Sequence, residues 1–194
     1  MQTNKGGHVT QTKMNVISSF CSFFLPFLIA GCISSTVAHA QYDINSFNYG
    51  LTVNKILAVG EEVGVGVRAE YAFNCSTTFL AEYNRSFVFA ENRTSESFNE
   101  VALGVNLIVF NWYPTTITAG MAYIGNDASF FESIKDDAYL YFSNGSFHHG
   151  AQIKIRALYQ VSPPLHIFIE GNLKSLGRRF DTIQLGFNFD FYKI

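Results

Sequence analysis

Charge is scarce in this chain. Asp, Glu, Lys and Arg together make up 14% of its 194 residues, against about 25% in typical soluble proteins. The 13 basic and 15 acidic residues leave a formal net charge of −2, so the basic footprint of a nucleic-acid binder is missing. Cysteine is scarcer still, and three of them cannot staple a small disulfide scaffold. No stretch holds a 3.6-residue hydrophobic period long enough for a substantial helix. In place of charge the chain carries rings. Phe occurs 20 times and Tyr 10 times, and aromatics reach 16%, a composition that excludes a disordered chain. A length of 194 residues suits one domain with a single core.

The first 40 residues differ from the rest. Residues 1–13 are polar and carry Lys5 and Lys13, and Val16 to Ile33 is largely apolar, broken by Pro26 and a few Ser. That is the layout of a secretory leader, which predicts a signal peptide over 1–40 and a mature domain over 41–194. Two processing sites compete. Ala38-His39-Ala40, before Gln41, offers small residues at the two positions a signal peptidase inspects, whereas Ile29-Ala30-Gly31-Cys32 resembles a bacterial lipobox and would leave Cys32 lipidated. Cleavage after Ala40 is preferred because strand-like sequence begins soon afterwards. Pro26 and the lack of a positive flank argue against an uncleaved membrane helix. The mature chain would carry 11 basic and 15 acidic residues and Cys75 alone, so it has no intrachain disulfide.

From Phe47 onward the period is two, the strand period. It predicts eight strands: Phe47 to Leu57, Glu62 to Phe73, Thr77 to Phe89, Phe98 to Phe110, Thr116 to Gly125, His149 to Val161, Leu165 to Ser175 and Asp181 to Tyr192. Each is near the ~9–11 residues a tilted strand needs to cross a bilayer. One parity is apolar throughout. In the second strand Val63, Val65, Val67, Ala69, Tyr71 and Phe73 alternate with Gly64, Gly66, Arg68, Glu70, Ala72 and Asn74. In the last, Ile183, Leu185, Phe187, Phe189 and Phe191 alternate with Thr182, Gln184, Gly186, Asn188 and Asp190. A soluble sandwich could solvate such polar faces. Three features argue instead for a barrel in a membrane. Connections alternate between tight ones (Asn74-Cys75-Ser76, Asn111 to Thr115, Ser162-Pro163-Pro164) and long or polar ones (Ala90 to Ser97, Asn126 to His148, Leu176 to Phe180), with Ala58 to Glu61 the weakest fit. Rings gather near strand ends, as at Tyr71, Phe73, Phe79, Trp112, Tyr113, Tyr159, Phe189 and Phe191, where an interfacial girdle would sit. The last strand ends in Phe191 and Tyr192-Lys193-Ile194, like the C-terminal signal by which outer-membrane barrels are recognised for insertion.

On these residues, about Tyr42 to Ile194, the chain resembles the small eight-stranded outer-membrane barrels of the OmpA/OmpX type. The resemblance implies an all-β, antiparallel up-and-down transmembrane barrel in the bacterial outer membrane. It also implies outer-membrane lipid and the barrel-assembly machinery as partners, with no cofactor, no metal and no nucleic acid. No peptidoglycan-binding domain is expected after the eighth strand.

In such a barrel odd residues meet lipid and even ones fill the lumen, which collects Arg68, Glu70, Glu82, Glu100, Lys154, Arg156, Glu170 and Lys174 as ion pairs. Facing residues share parity. A three-residue Asn74-Cys75-Ser76 turn sets Arg68 opposite Glu82, and a three-residue Ser162-Pro163-Pro164 turn makes Val161 face Leu165 and sets Arg156 opposite Glu170. An eight-stranded barrel is just wide enough for side chains to fill, so these pairs should plug it, with a gate that exchanges partners as the functional alternative. Arg85 falls on the odd face between Tyr83 and Phe87. It either reaches lipid head groups or marks a bulge.

Function is expected in the loops. Residues 126–148, too long for a turn, mix Asp127, Glu132, Asp136 and Asp137 with Phe130-Phe131 and a β-prone stretch from Ala138 to Phe142. Exposed strand edges there could bind an extracellular protein or surface ligand, which gives a structural or adhesive role; the other expectation is a loop that packs over the barrel mouth and does nothing else. The alternatives are a lipid-modifying enzyme or protease and a soluble periplasmic ligand carrier. His148-His149 beside Asp136 and Asp137 is the sole catalytic suggestion, and it is weak. His149-Gly150-Ala151 lacks the serine of the outer-membrane deacylases, and adjacent His point to opposite faces of a strand. Gly60 to Gly66 reads as strand glycine, not as a phosphate loop.

Overall fold

Strict alternation of apolar and polar residues forces one sheet with a greasy side and a polar side, and closing that sheet removes its edges. The computed structural model describes residues 44–57, 62–88, 97–129, 131 and 135–191. The expected leader, both processing sites, most of the Ala90 to Ser97 connection and residues 192–194 lie outside them. Among the described residues nine strands form: β1 Phe47–Ile56, β2 Glu62–Ala72, β3 Thr77–Val88, β4 Ser97–Trp112, β5 Thr115–Asn126, β6 Phe142–Asn144, β7 Phe147–Ser162, β8 Leu165–Lys174 and β9 Thr182–Phe191. All except β6 build the barrel. Each pairs antiparallel with its neighbour, β5 pairs with β7, and β1 pairs with β9 to close the wall. The fold is an eight-stranded antiparallel up-and-down barrel. The short β6 adds to β7 alone, and it lies at 142–144 rather than at the expected 138–142.

Arg68 faces Glu82 and Arg156 faces Glu170 in the observed register. Two bulges correct the reading near the turns. In β4 the register shifts between Ile108 and Phe110. Inside and outside therefore exchange parity, and Phe110 and Trp112 point outward although their numbers are even. In β7 it shifts between Gln160 and Ser162, so Ser162, not Val161, faces Leu165. The turn is the two residues Pro163-Pro164, and the extra residue is absorbed by the bulge. The β2–β3 pairing is unbroken, so Arg85 sits on the outward face without a bulge.

Candidate functional site: the lumen and the external rim

Register decides which side chains share the lumen. Arg68 pairs with Gly50 and Glu82, Lys154 with Gly120, and Arg156 with Glu170, so the ionic positions of β2, β3, β7 and β8 fall into one inward layer. Arg68 Nη2 donates to a Glu82 carboxylate oxygen and, at 2.9 Å, to Glu170 Oε2. Lys154 Nζ donates to Glu82 Oε2 at 2.7 Å and to Glu170 Oε1 at 3.2 Å. Arg156 pairs with Glu70 through Nη1 and, at 3.0 Å, through Nη2. Its Nε stands 3.9 Å from Glu170. All six side chains are buried. Three cations meet three carboxylates, so the layer is neutral, and a buried charge is tolerable only under that condition.

The partners were only partly legible in advance. Cross-strand register puts Arg156 beside Glu170, yet its close partner is Glu70 on β2, diametrically across the barrel in strand order. Long side chains in a narrow cylinder reach the far wall, and no hairpin arithmetic reports that. Phe168 stands among them, with the Arg68 guanidinium 4.4 Å and the Arg156 guanidinium 5.6 Å from its ring centroid, a cation–π arrangement. Room for that ring comes from Gly186, its register partner, where a Cβ would approach the ring to 2.7 Å.

Two further pairs lie toward the external end. Lys174 Nζ donates to Glu100 at 2.6 Å, and Arg179 Nη2 donates to the buried Glu62 at 2.8 Å. Asp181, half-buried in the connection before β9, has its carboxyl pushed up by burial and partly held back by the Lys174 backbone N–H that it accepts at 2.7 Å. Above these pairs sits an apolar cluster: Ile56, Phe98, Ala102, Ala122 and Ile124 from the wall, with Ala128, Phe131, Leu176 and Phe180 from the connections. Phe180 meets Phe98 edge-on at 5.7 Å. A 126–148 connection packed over the mouth is one of the two expectations, but a loop phenylalanine gives no sign of folding inward, so Phe131 and Phe180 are not foreseen as the rings of this cap. The other end of the lumen is polar, with Asn48, Asn106, Asn188 and a His166–Asp190 contact of 3.3 Å.

The outside is the reverse of the inside. Leu51, Val53, Val65, Val67, Leu103, Met121, Ile153, Ile155, Ile169 and Leu185 all project outward and exposed. Rings border this band at the end with tight turns, where Tyr49 stacks on Phe189 at 5.7 Å, Phe73 meets Phe79 at 4.5 Å, and Trp112 and Tyr113 are each 74% exposed. A soluble carrier needs an apolar cavity and a polar exterior, so that alternative fails.

No protein-family model and no curated protein matches the chain. Among solved structures, the Yersinia pestis outer membrane protein Ail in a phospholipid bilayer nanodisc is similar, with a TM-score of 0.52 at 10% identity over 76% of this chain and 99% of that one. The N-terminal β-barrel domain of Pseudomonas aeruginosa OprF is similar with a TM-score of 0.50 at 12% identity, over 76% of this chain and 98% of that one. The chain has the fold of these small eight-stranded outer-membrane barrels. At such identities the likeness carries the fold, and any finer reading comes from the barrel's own residues.

On the rim of the barrel that carries the long connections the two histidines part, as alternation requires. His148 points inward, buried and stacked on Phe131 at 4.2 Å, with its Nδ1 2.8 Å from Ser143 Oγ. His149 points outward, stacked on Phe142 at 4.2 Å and in contact with the Tyr123 hydroxyl. Asp136 and Asp137 are exposed. Among the described residues no hydrogen bond or ion pair joins them to either histidine, and no group of three or more His, Cys, Asp or Glu could hold a metal. Asp127 instead holds Asn99, accepting from its backbone N–H at 2.6 Å and from its side-chain amide at 2.8 Å.

Proposed function

We propose that the barrel acts at the cell surface as a non-enzymatic interaction protein, held rigid by the ionic layer in its lumen and binding through the 126–148 connection. The observation that carries this is the run Tyr139, Leu140, Tyr141 and Phe142, four large apolar side chains in succession, all exposed. Leu140 is 79% exposed with φ of +55°. A bulky residue adopts that left-handed conformation at a cost, and Ser175 holds the backbone there, its carbonyl accepting the Tyr139 N–H at 2.8 Å and its hydroxyl donating to the Leu140 carbonyl at 3.3 Å, so the Leu140 side chain is fixed outward. Beside it, β6 pairs with β7 on one edge and with no strand on the other among the described residues, which leaves hydrogen-bonding groups for an extended segment of an extracellular protein. The capped lumen supports a structural plug over a gate. Export through the 1–40 leader, cleaved after Ala40, and recognition by the barrel-assembly machinery complete the reading.

The test is surface display in a non-adherent host strain. Cells carrying the barrel should be retained on protein-coated surfaces, and Leu140→Ser with Phe142→Ser should remove that retention while the folded, heat-modifiable band persists. Retention unchanged by the double substitution would refute the loop reading. New lipid A species or peptide cleavage that vanishes with His148→Ala would replace it with an enzymatic one.

A further inference from the structure

The external end of the outer wall is not uniform around the barrel. On β9, β1 and β2 an apolar groove of about 330 Å³ is lined by Val53, Leu57, Val63, Ile183 and Leu185, with Lys55 at its side. Lys55 is exposed and has no ion-pair or hydrogen-bond partner among the described residues. On the next strand but one, Arg85 also faces outward. Lys55 faces Val63, Val63 faces Phe87, and Arg85 is one outward position below. Its guanidinium reaches Ser97 Oγ at 3.4 Å and lies 5.7 Å from the Phe87 ring centroid, with no carboxylate engaged among the described residues. The two backbones are two strand spacings apart, about 10 Å, a gap that extended Lys and Arg arms close from both sides. Arg178 is exposed in the turn Arg178–Phe180, which leads to Asp181, whose carbonyl accepts the Leu57 N–H at 2.9 Å. The only carboxylate this turn brings, that of Asp181, already accepts the Lys174 N–H. Beside Arg85 on β4 stands its register partner Asn99, whose amide groups occupy the Asp127 carboxylate; on the opposite wall His149 stands at this height, and no Lys or Arg of β5 or β7 faces outward among the described residues.

We propose that this face holds a phosphate-bearing lipid of the outer leaflet, with an acyl chain in the groove and the phosphate on Lys55 and Arg85. The chemistry is complementary twice over. The groove lies in the lipid-facing band, so hydrocarbon is what fills it. The two cations mark where the band ends, the depth at which a phosphorylated headgroup sits, and there a Lys or Arg stem runs along apolar wall while its charge reaches the interface. A neutral zwitterionic lipid satisfies the groove but leaves the cations without a net anion.

Native mass spectrometry of the folded barrel in neutral detergent tests this, with phosphatidic acid and phosphatidylcholine of identical chains, and inorganic phosphate, as probes. Phosphatidic acid should be retained preferentially. Lys55→Gln and Arg85→Gln should each weaken that retention about fivefold. Leu185→Trp, which fills the groove, should lower retention of both lipids, whereas Met121→Trp on the opposite wall should not. None of these positions lies in the lumen, so the barrel remains folded. Equal retention of the two lipids, no loss in the Gln variants, or full competition by inorganic phosphate would overturn the assignment.

Discussion

Truncating Glu170 probes the ionic layer most sharply. Its carboxylate serves Arg68 at 2.9 Å and Lys154 at 3.2 Å and lies 3.9 Å from Arg156 Nε. Glu170→Ala leaves three cations against two carboxylates in a place closed to solvent, and takes one of three anionic partners from Arg68 and one of two from Lys154. Breaking a buried pair in this way costs about 3–5 kcal/mol. Glu170→Gln keeps the shape and one acceptor oxygen, so it should cost less, though it leaves the same unbalanced charge. Pairing it with Lys154→Met restores neutrality, and the double variant should then be destabilised by less than the sum of its parts. Asp137→Ala removes an exposed acid and should stay within about 0.5 kcal/mol of the parent. Urea titration of each variant, Lys154→Met alone included, folded into phospholipid vesicles, read by tryptophan fluorescence and confirmed by heat-modifiable gel mobility, measures all five. Equal effects of Glu170→Ala and Asp137→Ala, or strict additivity in the double variant, would refute a neutral, interlocked layer.

Other consequences are open to direct measurement. Val67→Arg, on the lipid face, should destabilise the vesicle-folded barrel by about 2–4 kcal/mol, whereas Val67→Leu should be nearly silent in the same titration. Gly186→Leu drives a side chain toward the Phe168 ring and should cost about 1–3 kcal/mol by overpacking; a neutral result would mean the lumen is looser than described. With the ionic layer below and the apolar cap of Phe98, Phe131 and Phe180 above, the intact barrel should carry no steady current in a planar bilayer. Phe131→Ala alone should not open it, because the ionic layer remains.

How much of this was legible follows from the range of each signal. Period-two alternation acts over two residues, and a hairpin with a tight turn fixes its own register, so the eight barrel strands and the Arg68–Glu82 facing came from local pattern. The shifts at Ile108/Phe110 and Gln160/Ser162 did not. A bulge near a turn is set by how the wall curves, and an apolar stretch such as Leu107 to Phe110 reads equally well in either parity. Partners across the lumen, Arg156 with Glu70 and Lys154 with Glu82, depend on which walls closure brings face to face. That information resides in the ring of strands, not in any segment. A loop over the mouth was among the expectations, but which rings form the cap was hidden for the same reason. Phe131 and Phe180 lie in connections with no periodicity, and only the packed structure shows that they fold over the mouth.

Sidedness is the claim on which everything else rests, and site-directed spin labelling reads it directly. In a Cys75→Ser background, single nitroxides at Leu51, Val67, Ile155 and Phe187 should be relaxed strongly by oxygen and weakly by a water-soluble nickel chelate, the mark of contact with lipid. Labels on the same residues that are shielded from oxygen, or relaxed chiefly by the chelate, would contradict the account.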